Sequence, residues 1–140
     1  MIIQIINNIY ICDINYSYEK YIYTKYNINI VINCTENLKF INDDKIKKIR
    51  IPLSYEMTTK DIYLLNNNLD KILSYIKTNL LDNVILICCH DGKRISPLII
   101  ALFILKYTKN INKKEITNFI KSKNENINLD YDFNIFNLSN

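Results

Sequence analysis

Hydrophobic side chains follow two spacings along the chain, one typical of buried strands and the other typical of helices. Five short runs rich in Ile and Val predict strands, at residues 1–6, 9–12, 28–33, 49–53 and 84–88. Asn7 and Asn8 separate the first two runs and predict a turn between them. Between residues 58 and 80, apolar side chains recur every three or four positions, which predicts an amphipathic helix.

Other segments also have helical features. Residues 16–26 are aromatic and lysine-rich, and they are predicted to form a helix. Helices are also predicted for the strongly apolar residues 97–107 and for the last segment, 130–138. Asn112 is the predicted N-cap of a further helix through Lys123. Alternating strands and helices predict an α/β fold with a mainly parallel central sheet flanked by helices. Because no repeat or flexible linker divides the chain, a single domain over residues 1–140 is expected.

Composition excludes several classes of protein. With 140 residues, 49% hydrophobic content and a net charge of +4, the chain has the size and balance of one globular domain. Its longest apolar stretch, 97–105, is shorter than the ~20 residues that cross a bilayer, so no membrane association is expected. Four cysteines without a Cys-x-x-Cys pair or a secretory signal indicate reduced thiols in an intracellular protein.

Scarce residue types exclude further chemistry. The chain has one His, which rules out a zinc site built from two histidines, and no metal or other cofactor is expected. Its 11 tyrosines are not interleaved with basic residues on one element and are interpreted as surface packing. A nucleic-acid partner is therefore not expected.

One segment carries candidate chemistry. Cys89 ends a predicted buried strand, and a loop with the only glycine, Gly92, leads into a predicted helix that starts at Ser96 and Pro97. A strand–loop–helix turn of this kind gathers backbone N–H groups into an anion site, and the helix N-terminus favours a thiolate nucleophile at Cys89. The alternative is that Cys88 and Cys89 are small core residues and Gly92 is a turn glycine. The local pattern leaves both interpretations open.

Cys89-x-x-Gly92-x-x-x-Ser96 resembles the active-site loop of cysteine-dependent protein phosphatases, His-Cys-x-x-Gly-x-x-Arg-Ser/Thr. Segments 7–12, 31–35 and 51–62 resemble three further segments of the same family, in the same order. The chain is identified by these segments as a member of the dual-specificity and tyrosine phosphatases. It is most similar to the compact poxvirus-type enzymes, which would make it a viral protein.

The resemblance implies roles for the residues of this loop. Cys89 occupies the nucleophile position, and Ser96 takes the place of the hydroxyl that steadies the thiolate and assists breakdown of the cysteinyl-phosphate. The loop backbone would bind the phosphate, through His90, Asp91, Gly92, Lys93, Arg94 and Ile95.

The resemblance also implies a general acid, but two alignments place it differently. Alignment on Ile51 and Pro52 puts Tyr55 at the acid position, whereas alignment on Asp61 puts Glu56 there as a candidate acid. For Asp61 itself, the favoured interpretation is a carboxylate at a helix N-terminus.

Several residues depart from the family pattern. Ile95 stands at the position of the family arginine, Arg94 is one position early and is expected to face outward, and Arg50 lies far along the chain. Cys88 replaces the family histidine, and His90 is expected to point to solvent. Asp91 adds a carboxylate beside the anion site. Its negative charge would disfavour both a thiolate at Cys89 and a bound phosphate, unless the side chain turns to solvent or pairs with Lys93 or Arg94.

Three functions follow from the resemblance and its departures. The first is a catalytically impaired pseudophosphatase that binds a phosphorylated protein or another protein partner. The second is an active but slow dual-specificity phosphatase with a cysteinyl-phosphate intermediate, in which Lys93 or Arg94 reaches the phosphate. The third is a protein-interaction module whose pocket is closed by Ile95 and Asp91. The expected location is inside the cell, and in the host cytoplasm or virion if the protein is viral.

Overall fold

A five-stranded sheet lies at the centre of the computed structural model, which describes residues 1–138. Its strands are β1 (Ile2–Ile6), β2 (Ile9–Asp13), β3 (Ile30–Asn33), β4 (Lys47–Arg50) and β5 (Ile85–Cys89). They lie in the order β1-β2-β5-β3-β4, and only the β1–β2 hairpin is antiparallel. The predicted α/β fold with a mainly parallel sheet is confirmed.

Helices cover the sheet. They are α1 (Lys20–Lys25), α2 (Thr59–Asn79), α3 (Ile95–Tyr107) and α4 (Lys113–Lys123), with short 3-10 turns at Tyr16–Tyr18 and Phe133–Ile135. The predicted helices at 58–80 and 112–123 are present as α2 and α4, with Thr58 and Asn112 as their N-caps. Within residues 1–138 no helix is both long and apolar enough to cross a bilayer.

Three predicted elements differ from the structure. The segment 16–26 is not one helix, because the extended backbone of Glu19 separates a 3-10 turn from α1. The strand predicted at 49–53 begins earlier, because parallel pairing with β3 starts at Lys47, and it ends at Arg50. In place of the helix predicted at 130–138 there is one 3-10 turn, capped by the side chain of Asp132.

The two faces of the sheet support separate clusters of buried side chains. Ile85, Ile87 and Cys89 pack on the side of α2, α3 and α4, whereas Leu86 and Cys88 pack on the side of α1. Side chains alternate between faces along a strand, so neighbouring cysteines of β5 point in opposite directions. Cys89 therefore faces α3, and Cys88 faces away from it.

Candidate active-site loop

Cys89 ends β5 and faces the first turn of α3. The backbone N–H of Ser96 donates to Cys89 Sγ over 3.4 Å, and the Cys89 side chain is buried. The Ser96 hydroxyl is buried too and has no hydrogen-bond partner among the described residues. The structure thus brings a thiol, a helix N-terminus and a buried hydroxyl together. The strand–loop–helix pattern predicted the first two, and the family resemblance implied the third.

Gly92 joins the loop to the end of β2. Its φ is +70°, and a Cβ at this position would lie 2.8 Å from the backbone nitrogen of Asp13 and 2.8 Å from the carbonyl carbon of Cys12. Both the backbone conformation and the contact require glycine. The group that closely approaches Gly92 in the structure is the backbone of β2.

The Asp91 carboxylate turns into the loop rather than to solvent. Asp91 Oδ1 accepts a hydrogen bond from the backbone N–H of Lys93 over 2.9 Å and lies 4.0 Å from Cys89 Sγ. Asp91 Oδ2 accepts from the Tyr55 hydroxyl over 3.2 Å. One loop amide is therefore already bonded to a carboxylate, which also places a negative charge beside the thiol.

Arg94 lies half-buried at the side of the loop and contacts two tyrosines. Its Nη1 donates to the carbonyl of Tyr55 over 3.2 Å. The guanidinium carbon lies 5.3 Å from the centre of the Tyr55 ring and 5.8 Å from that of Tyr131. Burial raises the pKa of Tyr131, and the positive charge of Arg94 opposes this rise. Two aromatic rings and a carbonyl thus hold the guanidinium half-buried at the side of the loop.

Ile95 is the first residue of α3, and its side chain is 1% exposed within the core. The other arginine, Arg50, is committed elsewhere: Nη1 donates to the carbonyl of Thr35 over 3.0 Å and Nη2 to that of Leu38 over 2.8 Å. The first residue of α3 is therefore aliphatic and buried, and the hydrogen bonds of Arg50 go to the segment after β3.

The two candidates for the acid position lie in different surroundings. Tyr55 contacts the loop through Asp91, and its ring centre lies 5.6 Å from that of His90. Glu56 instead lines a separate cavity of about 540 Å³ together with Glu36 and Lys60. A turn closed by the Met57 N–H and the Ser54 carbonyl directs these adjacent side chains apart. The structure thus brings Tyr55, the residue given by alignment on Ile51 and Pro52, to the loop.

His90 was expected to point to solvent, but it is half-buried against Tyr55. Its Nδ1 is buried without a hydrogen-bond partner among residues 1–138. The edge-on contact with the tyrosine ring covers the imidazole, which explains the difference from the expected exposure.

Asp61 forms a capping box with Thr58 at the start of α2, as the helix-terminal interpretation predicted. Burial raises the pKa of Asp61, but hydrogen bonds from Ser54 and Thr58 outweigh it and lower the pKa to about 2. Because those hydrogen bonds favour the charged form, the carboxylate stabilises the helix start and does not act as an acid near neutral pH.

The remaining cysteines are core residues. Cys88 faces away from the loop, and burial raises its pKa to about 12. Cys34 follows β3 and donates its backbone N–H to the Cys88 carbonyl over 2.8 Å, and burial raises its pKa as well. All four cysteines are free thiols. The described residues contain no group of three His, Cys, Asp or Glu side chains that could hold a metal ion.

The sequence reasoning missed two aromatic residues. Tyr55 and Tyr131 enclose Arg94 beside the loop, although tyrosines were interpreted as surface packing. The alignment of Tyr55 with the acid position was a signal for the first of them. Nothing in the sequence near Tyr131 points to the loop, because it arrives there through folding of the segment after α4.

Comparison with known proteins decides the family. Residues 49–130, more than half of the chain, match the Rit1 DUSP-like domain. The chain belongs to the Rit1 DUSP-like domain family. The matched residues of this DUSP-like domain include α2, β5, the loop at 90–94 that follows Cys89 (the Cys89 loop), α3 and α4. No curated protein sequence matches the chain.

Solved structures share the fold of this DUSP-like domain. A variant of human DUSP28 superposes with a TM-score of 0.80 at 8% identity, covering 92% of this chain and 86% of its own. DUSP15 superposes with a TM-score of 0.79 at 14% identity, and the match covers 92% of this chain and 80% of the DUSP15 chain. A human tyrosine phosphatase-like serine/threonine/tyrosine-interacting protein superposes with a TM-score of 0.77 at 11% identity. This match covers 92% of this chain and 87% of that protein's chain. These likenesses confirm the resemblance to dual-specificity and tyrosine phosphatases, while the poxvirus-type similarity stays a prediction.

Proposed function

We propose that this DUSP-like domain is a catalytically impaired phosphatase homologue that binds a phosphorylated protein. The observation that carries the proposal is the buried aliphatic side chain of Ile95 at the arginine position of the motif. A guanidinium supplies two parallel donors to phosphate oxygens, which an isoleucine cannot replace. Loss of an arginine that stabilises a transferring phosphoryl group costs about 10³–10⁵ in rate.

The charges around Cys89 support the same proposal. Asp91 Oδ1 lies 4.0 Å from Cys89 Sγ and accepts the N–H of Lys93, so it competes with a phosphate for that donor and repels it. Arg94 does not compensate, because its guanidinium is bonded to the Tyr55 carbonyl and packed between two rings. Attack of the thiol on phosphorus therefore lacks the positive charge that the reaction needs.

The features that remain favour binding rather than turnover. Cys89, the start of α3 and the Ser96 hydroxyl keep the arrangement of an anion site, so a phosphorylated side chain is the proposed ligand. Within this proposal Cys89 holds the nucleophile position and Ser96 the hydroxyl position of the motif. The four free thiols suit a reducing environment, and we place the protein inside the cell.

Hydrolysis of an aryl phosphate tests this function. The wild-type chain is expected to show turnover no greater than that of Cys89→Ser, because both lack a working nucleophilic step. Turnover that is clearly above background and lost in Cys89→Ser would instead establish the slow, active phosphatase. A phosphotyrosyl peptide in a calorimetric titration is expected to bind the wild type without being hydrolysed.

A protein-interaction module with a closed pocket is the second candidate, and the inward position of Asp91 favours it. Tungstate, which mimics phosphate, separates the two. Weak binding by the wild type that strengthens about tenfold in Asp91→Asn, through loss of a repelling charge, supports a phosphate-binding homologue. No tungstate binding by either protein would support the closed module, because the pocket would then exclude anions even after the charge of Asp91 is removed.

A further inference from the structure

A second concave region lies away from the Cys89 loop, at the edge of the sheet where β4 and α2 meet. It is a cavity of about 360 Å³ lined mainly by apolar side chains, among them Ile49, Ile51, Leu64 and Ile72. We call it the edge groove. Neither Cys89 nor any residue of the loop that follows it lines the edge groove, so it is separate from the candidate active site.

β4 leaves one side without a partner strand. It is the last strand of the described sheet, and β3 pairs with it on the other side. On the side of β3, the N–H of Lys47 donates to the carbonyl of Asn29, and the N–H of Ile51 donates to the carbonyl of Asn33. Because backbone groups alternate in direction along a strand, the N–H groups of Lys48 and Arg50 point to the open edge. Such an edge is a template for an added strand.

The positive charge of the edge groove comes from lysine. Its lining includes Lys71 and Arg50 and no acidic residue, but the Arg50 guanidinium donates to the carbonyls of Thr35 and Leu38. The ammonium of the exposed Lys47 lies 5.4 Å from the centre of the ring of Tyr75, which lines the groove. The neighbouring cavity that Glu56 lines differs, because it also contains Glu36 and Asp61. An acidic partner is therefore complementary to the edge groove and not to its neighbour.

A polar group in the edge groove also lacks a partner. The hydroxyl of Tyr75, a lining residue, is buried and has no hydrogen-bond partner among the described residues. Buried hydroxyls are usually hydrogen-bonded, so an unpartnered one in a cavity is a place for a ligand's polar atom. A peptide carbonyl or carboxylate supplies the acceptor that this hydroxyl lacks.

We infer that the edge groove binds an extended acidic peptide segment of a partner protein. The segment adds a strand to the open edge of β4 and places an apolar side chain in the groove, with its carboxylates near Lys47 and Lys71. This surface goes beyond the proposed phosphate site and does not depend on it. It gives the DUSP-like domain a second contact with a protein partner, whatever the Cys89 loop binds.

Selection from a display library of random ten-residue peptides tests the inference on the full chain. We expect the enriched peptides to carry carboxylates on both sides of a bulky apolar residue. Lys71→Glu should weaken the binding of a selected peptide about tenfold, since it replaces attraction by repulsion. Lys60→Glu is the matched control, because it makes the same charge change on an exposed residue of α2 that lines the other cavity. It should change affinity less than twofold.

Amide hydrogen exchange locates the bound peptide. Exchange at Lys48 and Arg50 should slow on binding, and Cys89→Ser should leave peptide affinity unchanged, which separates this inference from the proposed function. The inference is overturned if no peptide is enriched over a parallel selection on Lys71→Glu, or if the enriched peptides lack acidic residues. Slowed exchange confined to residues 90–95 would also overturn it, because the peptide would then occupy the Cys89 loop.

Discussion

At the scale of single residues, three neighbours decide what the Cys89 loop can do. Asp91 bonds a loop amide, Arg94 is held between Tyr55 and Tyr131, and Ile95 is buried in the core. Under the proposed function, these three residues leave a phosphate bound at the loop with fewer hydrogen-bond donors and less positive charge. Together they leave the thiol with a helix N-terminus as its main electrostatic support.

Gly92 gives a prediction at this scale. Gly92→Ala should lower the free energy of unfolding by more than about 2 kcal/mol, because its Cβ would meet the backbone of β2 in a left-handed conformation. Urea denaturation followed by circular dichroism measures the loss.

Asn110→Ala is the matched control for the backbone conformation. Asn110 also has a positive φ, of 61°, but it is exposed. Its substitution should cost about 1 kcal/mol from the backbone alone. Equal losses in both variants would show that contact with β2 contributes nothing at Gly92.

Residue spacing predicted which residues of the Cys89 loop lie together, but not the surroundings of His90 and Arg94. Cys89, Gly92 and Ser96 lie within eight residues, so local geometry brings them together as expected. His90 is half-buried rather than solvent-facing, and Arg94 packs at the side of the loop. Both positions are set by Tyr55, a residue 35 or more positions away whose contact with the loop no local pattern contains.

At the scale of elements, helix ends were the easiest features to predict. Thr58 with Asp61 and Asn112 with Glu115 form capping boxes, whose signals lie within four residues of sequence. β4 was placed too late, because its ends depend on pairing with β3 rather than on its own residues. The helix expected at 130–138 is absent for a similar reason. Phe133 and Phe136 are spaced as on a helix, but they reach the core from a single 3-10 turn and the extended backbone after it.

The two capping boxes give a prediction for α2. Asp61 accepts hydrogen bonds from Ser54 and Thr58, so Asp61→Asn should lower the free energy of unfolding by about 2 kcal/mol at pH 7. Glu115→Gln, at the same helix position of α4, should cost about 0.5 kcal/mol because this carboxylate is exposed. Denaturant titrations of the two variants and the wild type compare these losses.

The effect of Asp61 should also depend on pH. Its pKa is lowered from 3.8 to about 2 in the folded chain, so its stabilisation is complete above pH 4 and is lost as the pH falls through 2. The difference between wild type and Asp61→Asn should therefore shrink between pH 4 and pH 2. A difference that stays constant over this range would mean that the charge of Asp61 does not stabilise the start of α2.

At the scale of the whole molecule, the sheet brings distant segments to one place. The Cys89 loop, the turn with Tyr55 and the segment with Tyr131 meet at the carboxyl end of β5, although they are separated by more than 30 residues each. The strand and helix pattern predicted the α/β fold, because periodicity reports burial along each element. It did not predict this aromatic enclosure, which depends on tertiary packing alone.

We propose that the Cys89 loop lacks the positive charge that phosphoryl transfer requires. The most direct measurement is kcat/KM for an aryl phosphate in the wild type and in Ile95→Arg, with Ile95→Met as a control of similar size and circular dichroism to verify folding. We predict that Ile95→Arg raises kcat/KM at least about tenfold and that Cys89→Ser abolishes the gain. A wild type that already hydrolyses the substrate as fast as folded Ile95→Arg, with Cys89 essential, would contradict the claim.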